Sequence, residues 1–205
     1  MSFILGIAGG SASGKSTIAA ALAERLGDVV TLIVHDRYYH NLPQRFHDKS
    51  STFNFDHPDA LNTAELVSDL NKLIAGETTT LPRYDFASHA RAPIGDVVQP
   101  TPLIIVEGIL VLSDPALRAH FDFSVFVDTP DNVRLQRRIV RDVAERGRTE
   151  AQVREQVAMT VQPMHDQFVQ PSMKHAGLVV SGERALQGLV DEIVNQPAIR
   201  RALHP

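Results

Sequence analysis

Residues 9–16 combine glycine, serine and lysine at a spacing that can bind phosphate. They read Gly-Gly-Ser-Ala-Ser-Gly-Lys-Ser and fit the pattern G-x-x-x-x-G-K-[ST]. An apolar run precedes them and a helix-like pattern follows, which disfavours a chance match in a glycine- and serine-rich turn. Such a turn points backbone N–H groups and a helix N-terminus at an anion, with Lys15 reaching the outer phosphates and Ser16 ligating magnesium. We therefore predict a nucleoside triphosphate site formed by Gly9, Gly10, Ser11, Ala12, Ser13, Gly14, Lys15, Ser16 and Thr17.

Three acidic residues each follow an apolar, strand-like segment: Asp36, Glu107 and Asp128. Ligands of open parallel sheets bind outside the carboxyl ends of the strands, so these acids are candidates for a magnesium and acid/base cluster. Phosphoryl transfer needs a carboxylate near the acceptor hydroxyl, and Asp36 is the candidate. For magnesium we prefer Glu107, because Thr129-Pro130 after Asp128 is typical of the start of a helix.

Six arginines lie within fifteen residues, at positions 134, 137, 138, 141, 146 and 148. Arg134 and Arg137 could equally form a solvated helix face, paired with Asp142 and Glu145. Arg146-Gly147-Arg148 has a glycine between two arginines after a helix, which suits a mobile lid that brings positive charge to the phosphates.

Two polar, aromatic stretches contain residues that could hold the phosphate acceptor. Asp56 lies between aromatic residues in segment 53–59, as a site for a sugar diol would need. Tyr84, Phe86 and His89 lie in segment 84–91, where rings could stack on a base and an imidazole could bond its edge. Taken alone, Phe86 or His89 could also be a packing residue.

The elements that must position these residues alternate between strand and helix. Five short apolar runs are predicted to be buried parallel strands: 3–8, 29–34, 103–106, 123–127 and 178–180. Helices are predicted over 17–26, 62–75, 130–145, 150–168 and 184–194, the second with a capping-box-like start at Asn62. The alternation predicts an α/β fold with a doubly wound parallel sheet.

Two stretches interrupt this alternation, residues 36–61 and residues 78–101. The second alternates weakly around prolines and a glycine, which predicts a β-hairpin flap. Long ordered insertions in α/β domains usually carry function. We predict one domain over residues 1–205, with the flap at 78–101 and an arginine-rich lid at about 137–156.

Composition narrows the class of protein. The 205 residues carry a net charge of −4 without a basic tail, so a nucleic-acid surface is not expected. There is no cysteine, which excludes disulfides and cysteine–zinc sites. No leader-like N-terminus or membrane-length apolar run is present, so a cytoplasmic protein is expected.

The collected motifs resemble the uridine kinase (uridine–cytidine kinase) family of P-loop kinases over about residues 3–180. The resemblance rests on seven segments: 9–16, Asp36-Arg37-Tyr38-Tyr39, 54–60, 84–91, Glu107-Gly108-Ile109, 137–142 and 145–148. The phosphate loop alone indicates only a P-loop protein. The aspartate–histidine–proline segment and the tyrosine–histidine flap are specific to this family.

The resemblance implies transfer of the ATP γ-phosphate to the 5′-hydroxyl of uridine or cytidine. It makes Asp36 the base and places Ser16 and Glu107 on magnesium. It places the acceptor nucleoside against Asp56, Arg138, Gln156, Tyr84, Phe86 and His89, and assigns Arg141, Arg146 and Arg148 to the lid. It also implies a homotetramer and feedback inhibition by CTP or UTP.

Two departures from the family pattern concern the donor base. Gly177 replaces a common aspartate, and Gly182-Glu183-Arg184-Ala185 replaces a Gly-x-x-Asn-like turn, so ATP and GTP both stay open as donors. The alternatives are a phosphoribulokinase-like sugar kinase and a non-catalytic nucleotide switch. Tyr84 and His89 argue against the first, and Lys15 with Asp36 against the second.

Overall fold

Five apolar segments of the chain form one parallel sheet. The structure is a computed structural model that describes residues 2–42, 53–86 and 88–203. The strands are β1 (Phe3–Gly9), β2 (Val30–Val34), β7 (Leu103–Glu107), β8 (Phe123–Asp128) and β9 (Leu178–Ser181). They lie in the sheet in the order β2-β7-β1-β8-β9. All five predicted strands are confirmed, with ends that differ by one residue.

Helices cover both faces of the sheet, as the doubly wound prediction requires. Along β7, Ile104 and Val106 face a core shared with helix α2 (Thr63–Ile74), whereas Leu103 and Ile105 face a core shared with α1 (Lys15–Leu26) and α8 (Leu186–Val194). Every residue of β7 is buried, because a central parallel strand packs against helices on both sides.

The remaining helices are α3 (Pro115–Arg118), α4 (Asp131–Arg146), α5 (Glu150–Gln156), α6 (Gln162–Met164), α7 (Gln170–Ser172) and α9 (Pro197–Leu203). The predicted start of α2 is confirmed, since the Asn62 side chain accepts from the backbone N–H of Glu65 at 3.2 Å. The helix predicted over 150–168 is longer. Two π-helical segments, Val157–Val161 and His165–Val169, lie just before Pro163 and Pro171, which lack the N–H that a regular helix uses.

The stretch 78–101 forms short antiparallel pairs, as the hairpin prediction expects. Strand β3 (Thr79–Leu81) pairs with β6 (Asp96–Val98), and β4 (Tyr84–Asp85) pairs with β5 (Ala90–Arg91). In the other stretch, His35–Tyr38 and Pro58–Ala60 form 3₁₀ turns. Residues 43–52 of the predicted insertion, Ala87 of the predicted flap and the chain ends Met1, His204 and Pro205 lie outside the described residues.

Strand register brings the chemical motifs to one edge of the sheet. Glu107, the last residue of β7, pairs with Ile7 of β1 on one side and with Val34 of β2 on the other. Asp36 follows β2 by two residues and the phosphate loop follows β1. The loop, Asp36 and Glu107 therefore meet at the carboxyl edge, where open parallel sheets bind ligands. Within the described ranges, no helix has the length and apolar character needed to cross a membrane.

Candidate active site

The phosphate loop joins β1 to α1 through a backbone that few residues can adopt. Gly9 and Gly14 have φ of 152° and 101°, and a Cβ on Gly9 would lie 2.6 Å from the Val127 carbonyl oxygen. Ala12 has φ 64°, a left-handed conformation that costs a residue with a side chain about 1 kcal/mol. Gly14, the N-cap residue of α1, has no side chain to cap the helix, and the Ser13 hydroxyl accepts the N–H of Lys15 at 3.4 Å. The positive end of the helix dipole therefore favours an anion at this point.

Lys15 and Glu107 form a buried pair under this loop. The Lys15 Nζ lies 3.6 Å from Glu107 Oε2, and both side chains are at most one-tenth exposed. Burial raises the pKa of Glu107 above its ordinary value, Lys15 opposes that rise, and Asp36 adds to it. Among the described residues, Glu107 Oε2 has no partner within hydrogen-bond distance, while the nearby Ser16 hydroxyl and Lys15 ammonium both act to lower the pKa of this carboxyl group.

This arrangement fits a magnesium ion that arrives with its nucleotide. An underused carboxylate oxygen beside a serine hydroxyl offers two oxygen ligands, and Mg²⁺ takes the rest from phosphates and water. In the described parts of the chain, no group of three or more His, Cys, Asp or Glu side chains could hold a metal by itself. Asp128, the rejected alternative, is exposed at the end of β8.

Asp36 is half-buried next to these groups, in the first turn after β2. Its negative charge raises the pKa of Glu107 and of Asp56, which indicates that the three carboxyl groups share one site. The residue before it, His35, is fully buried, and its Nε2 lies 3.1 Å from Thr63 Oγ1. A Cβ on Gly108 would lie 2.6 Å from His35 Cβ, so glycine at 108 lets the two strand ends approach.

The first half of α4 holds the phosphate loop in place. Arg134 is 4% exposed and lies against Gly10, where an added Cβ would meet its guanidinium at 2.7 Å. Arg137 donates to the Ser13 carbonyl at 3.2 Å, and Arg138 donates to the Ser11 hydroxyl at 2.7 Å. The solvated-face interpretation is therefore wrong for Arg134. Helical spacing placed these arginines on one face but could not show that the phosphate loop packs there.

The second half of α4 and the turn after it gather arginines around Asp142, which is completely buried. Arg138, Arg141, Arg146 and Arg148 all lie within 3.5 Å of its carboxylate. Glu145, the other expected partner, is exposed. The Gln156 side-chain oxygen accepts from Arg138 at 3.1 Å and from Arg148 at 2.5 Å, and thereby links this cluster to α5.

The region predicted to hold the phosphate acceptor is a cluster of rings. Tyr39 packs on Phe55 and Tyr84 with ring centres 5.7 and 5.4 Å apart, and His89 stacks on Phe55 at 4.9 Å. Phe86 is half exposed and packs on Tyr84 at 5.2 Å. The Tyr84 hydroxyl is buried and bonds to nothing in the described parts of the chain, while burial raises the pKa of Tyr84 to about 12. The fold thus brings together the predicted Tyr84, Phe86 and His89.

Asp56 lies at the boundary between the rings and the arginines. It is 8% exposed, and burial raises its pKa although the positive charge of Arg138 opposes the rise. A desolvated carboxylate beside a guanidinium can accept hydrogen bonds from two adjacent hydroxyl groups. All six residues predicted for the acceptor therefore border one region, with Gln156 and Arg138 at its far side.

Two residues near the acceptor side were missed as contributors. Tyr39 is at the centre of the ring cluster, and Arg91 ties β5 to the segment after Asp36. The Arg91 guanidinium donates to the carbonyls of Tyr38 and Tyr39 at 3.0 and 2.9 Å and pairs with Glu65 at 2.6 Å. Tyr39 follows Asp36 so closely that its proximity to the site could have been inferred.

A cleft of about 420 Å³ opens beside the phosphate loop. Besides loop residues it is lined by Ile18, Arg137, Arg141, Gly182, Arg184, Leu186 and Leu189. Gly182 begins the turn in which Ala185 departs from the Gly-x-x-Asn-like family pattern, and it closes against the loop, because a Cβ there would lie 2.3 Å from the Ser13 carbonyl oxygen. The cleft suits the base and ribose of a nucleotide whose phosphates lie on the loop.

Comparison with known proteins agrees with this geometry. The model of the "Phosphoribulokinase / Uridine kinase family" matches residues 4–186. Uridine kinase from Chloroflexus aggregans is 46% identical over 180 residues, covering 87% of this chain and 86% of that protein. Uridine kinase from Ligilactobacillus salivarius is 40% identical, covering 94% and 91%.

A solved structure described as a possible uridine kinase from Bacillus stearothermophilus shares the fold with a TM-score of 0.64. It is 22% identical and covers 87% of this chain and 88% of its own. Phosphoribulokinase from Rhodobacter spheroides has a TM-score of 0.61 at 18% identity, covering 88% and 70%. With this match over residues 4–186, the chain belongs to the phosphoribulokinase/uridine kinase family.

Proposed function

We propose that the chain is a uridine–cytidine kinase, which transfers the γ-phosphate of ATP to the 5′-hydroxyl of the nucleoside. One observation carries the proposal: a cluster of aromatic rings and a buried carboxylate, Asp56, lie beside Asp36, at the sheet edge that also carries the phosphate loop. Rings bind a flat base, and a desolvated carboxylate binds ribose hydroxyls. The names of the relatives at 40–46% identity support the same acceptor.

On the acceptor side, Asp36 is the general base that takes the proton of the 5′-hydroxyl. Asp56 and Arg138, with Gln156, would hold the ribose, and Tyr84, Phe86 and His89 would surround the base. Phosphoryl transfer depends chiefly on this positioning, because little covalent chemistry is left for the protein.

On the donor side, the loop N–H groups and Lys15 would bind the β- and γ-phosphates. Ser16 and Glu107 would hold Mg²⁺, which supplies neutralisation of the phosphate charge when bound. Arg141, Arg146 and Arg148 would screen the charge that develops on the transferred group, as the proposed lid at about 137–156 closes over it and excludes water.

The donor is proposed to be ATP, with GTP as the competing donor. Outside the phosphate loop, the residues that line the cleft include Ile18, Leu186, Leu189, Arg137 and Arg184. Apolar side chains and guanidinium groups can pack against any purine, so these residues do not select between the two donors. The family resemblance further leads us to propose one domain over 1–205, a cytoplasmic homotetramer, and CTP or UTP as inhibitors.

A coupled ADP-release assay tests the function. Uridine and cytidine should be phosphorylated far faster than adenosine, guanosine, ribose 5-phosphate or ribulose 5-phosphate, with the product identified as the 5′-monophosphate. Preference for a sugar phosphate would favour the phosphoribulokinase-like alternative. ATP binding without phosphorylation of any acceptor would favour a nucleotide switch.

A further inference from the structure

The aspartate at the centre of the arginine cluster, Asp142, is a buried charged residue to which the mechanism above gives no role. Asp142 is 0% exposed in the middle of the last turns of α4. Each of its two carboxylate oxygens lies within 3.5 Å of two arginines. Oδ1 lies 2.9 Å from Arg141 Nε and 3.5 Å from an Arg146 nitrogen, and Oδ2 lies 3.2 Å from an Arg148 nitrogen and 3.5 Å from Arg138 Nε.

The main chain of Asp142 organises the same turn. Its carbonyl oxygen accepts the backbone N–H of Gly147, which has φ 63°, and that of Arg148 at 3.2 Å. One residue therefore sets both the path of the turn and the direction of its arginines. Burial acts to raise the pKa of Asp142, but Arg141, Arg138 and Arg146 together hold it below its ordinary value, so the group is ionised at neutral pH.

This cluster has more charge than a structural ion pair needs. Four guanidinium groups surround one carboxylate, which leaves three positive charges in excess. A buried ion pair contributes little net stability, since desolvation offsets its attraction. This excess positive charge lies at the candidate active site. Arg141 lines the same cleft as Lys15 and Ser16, and Arg138 donates to Ser11 of the phosphate loop. The negative charge of Asp36 acts on Arg146 and raises its pKa, although burial lowers it.

We propose that Asp142 is a positioning residue for phosphoryl transfer: it holds four mutually repelling arginines at one point beside the phosphate loop. The proposal rests on the proposed function. Without this carboxylate the guanidinium groups would separate, and the charge that should meet the transferred phosphate would be spread over many geometries. Misplaced charge weakens the transition state more than the ground state, because the extra negative charge on the transferred oxygens develops only there.

Asp142→Asn in the full chain tests this, because it removes the charge and keeps the size. We expect kcat with uridine to fall about thirtyfold, while the KM values for ATP and uridine stay within threefold. Asp191→Asn is the matched control: it removes a half-exposed carboxylate of α8 that pairs with Arg25 of α1, and it should keep kcat within twofold. A folded Asp142→Asn protein with unchanged or increased kcat would overturn the proposal, as would a change confined to KM.

A double-mutant cycle with Arg148→Gln separates positioning from an independent effect. If Asp142 acts through Arg148 and its neighbours, the double variant should lose clearly less than the product of the two single losses in kcat. A fully multiplicative loss would contradict the proposal.

Asp142→Glu covers the case in which the asparagine variant does not fold. It keeps the charge but moves the carboxylate by one methylene group, so a positioning role predicts at least a tenfold lower kcat in a folded protein. Full activity would overturn it. Wild-type protein that phosphorylates no nucleoside would refute the proposed function instead, so the two failures are distinguishable.

Discussion

The donor and acceptor sides of this site are built from different interactions. On the proposed donor side, α4 holds a strained loop: Arg137 and Arg138 donate hydrogen bonds to Ser13 and Ser11, and the Arg134 guanidinium packs against Gly10. On the proposed acceptor side, rings from three separate segments pack around Tyr39, edge to face for Phe55 and Phe86 and tilted for Tyr84, and Phe86 is half exposed. Phosphates need fixed donors at fixed points, whereas a base needs flat surfaces that tolerate small shifts. The two sides should therefore respond differently to mutation.

The largest effect should come at Asp36, where the two sides meet. Asp36→Asn removes the proton acceptor and should lower kcat at least about a hundredfold, the scale of general-base loss, while both KM values stay within about threefold. Asp128→Asn, a change at another strand-end aspartate, should keep near wild-type turnover. Normal turnover in Asp36→Asn would remove this residue from the base role.

The donor side should depend on its buried arginine. Arg134→Gln removes the guanidinium that packs under Gly10 and donates to the Thr129 carbonyl and to Asp131. We expect the KM for ATP to rise about tenfold, because hydrogen bonds from a charged group contribute roughly 1.5–3 kcal/mol each and here they hold the support of the loop in place. The KM for uridine should change less than twofold. Arg201→Gln, at an exposed arginine of α9, is the control. Equal increases in both KM values would mean that the two sides are not independent.

His35 lies next to Asp36, where the two sides meet, and its burial can be tested by the pH dependence of stability. Burial lowers the pKa of His35 to about 4, although Asp36 and Asp114 act to raise it. Below about pH 6.5 the unfolded chain therefore binds a proton on His35, whereas the folded chain does not bind it until the pH approaches 4. The neutral His35 side chain thus contributes to stability above pH 6.5, and this contribution is lost as the pH falls.

The free energy of unfolding should therefore drop by about 1 kcal/mol from this group between pH 7 and 5.5. Urea unfolding at the two pH values measures it, and His35→Gln should remove that part of the drop. His40→Gln, at an exposed histidine, should keep it. An unchanged pH dependence in His35→Gln would show that His35 titrates normally.

The smallest effect should appear on the acceptor side. His89→Ala should raise the KM for uridine and cytidine about threefold to fivefold and the KM for ATP less, because stacked rings contribute about 0.5–1.5 kcal/mol. His175→Ala, at an exposed histidine outside the site, should leave both constants unchanged. Equal effects of His89→Ala on both substrates would identify His89 as a packing residue only.

Much of the architecture was predictable because it depends on local patterns. The five strands were short, continuous apolar runs, and the glycines and lysine of residues 9–16 have one well-known structural use. The choice of Glu107 over Asp128 also followed from local sequence, and burial of Glu107 next to Lys15 is consistent with it. The roles of all these site residues stay predictions until they are measured.

The arginine cluster shows why the rest was not predictable. Six arginines on and after one helix look alike in sequence, and their period shows only which of them share a face. Asp142 was noted as a partner of solvated arginines, yet it is fully buried among four of them. Burial depends on what packs against the helix: α5 follows α4 closely along the chain, but the phosphate loop, which Arg138 contacts at Ser11, is far from it in sequence.

Local sequence was enough to predict the α/β alternation, the phosphate loop and the acids at the strand ends, since each depends on residues that are close along the chain. The folded structure was needed to show that Arg134 supports Gly10, that Tyr39 is at the centre of the ring cluster and that Asp142 is buried among four arginines. The first two sets of contacts join segments that are far apart in sequence. The arginines around Asp142 are its near neighbours along the chain, and what the fold adds there is burial. The effect of a charged side chain depends on the groups that shield it from water, and folding brings those groups together.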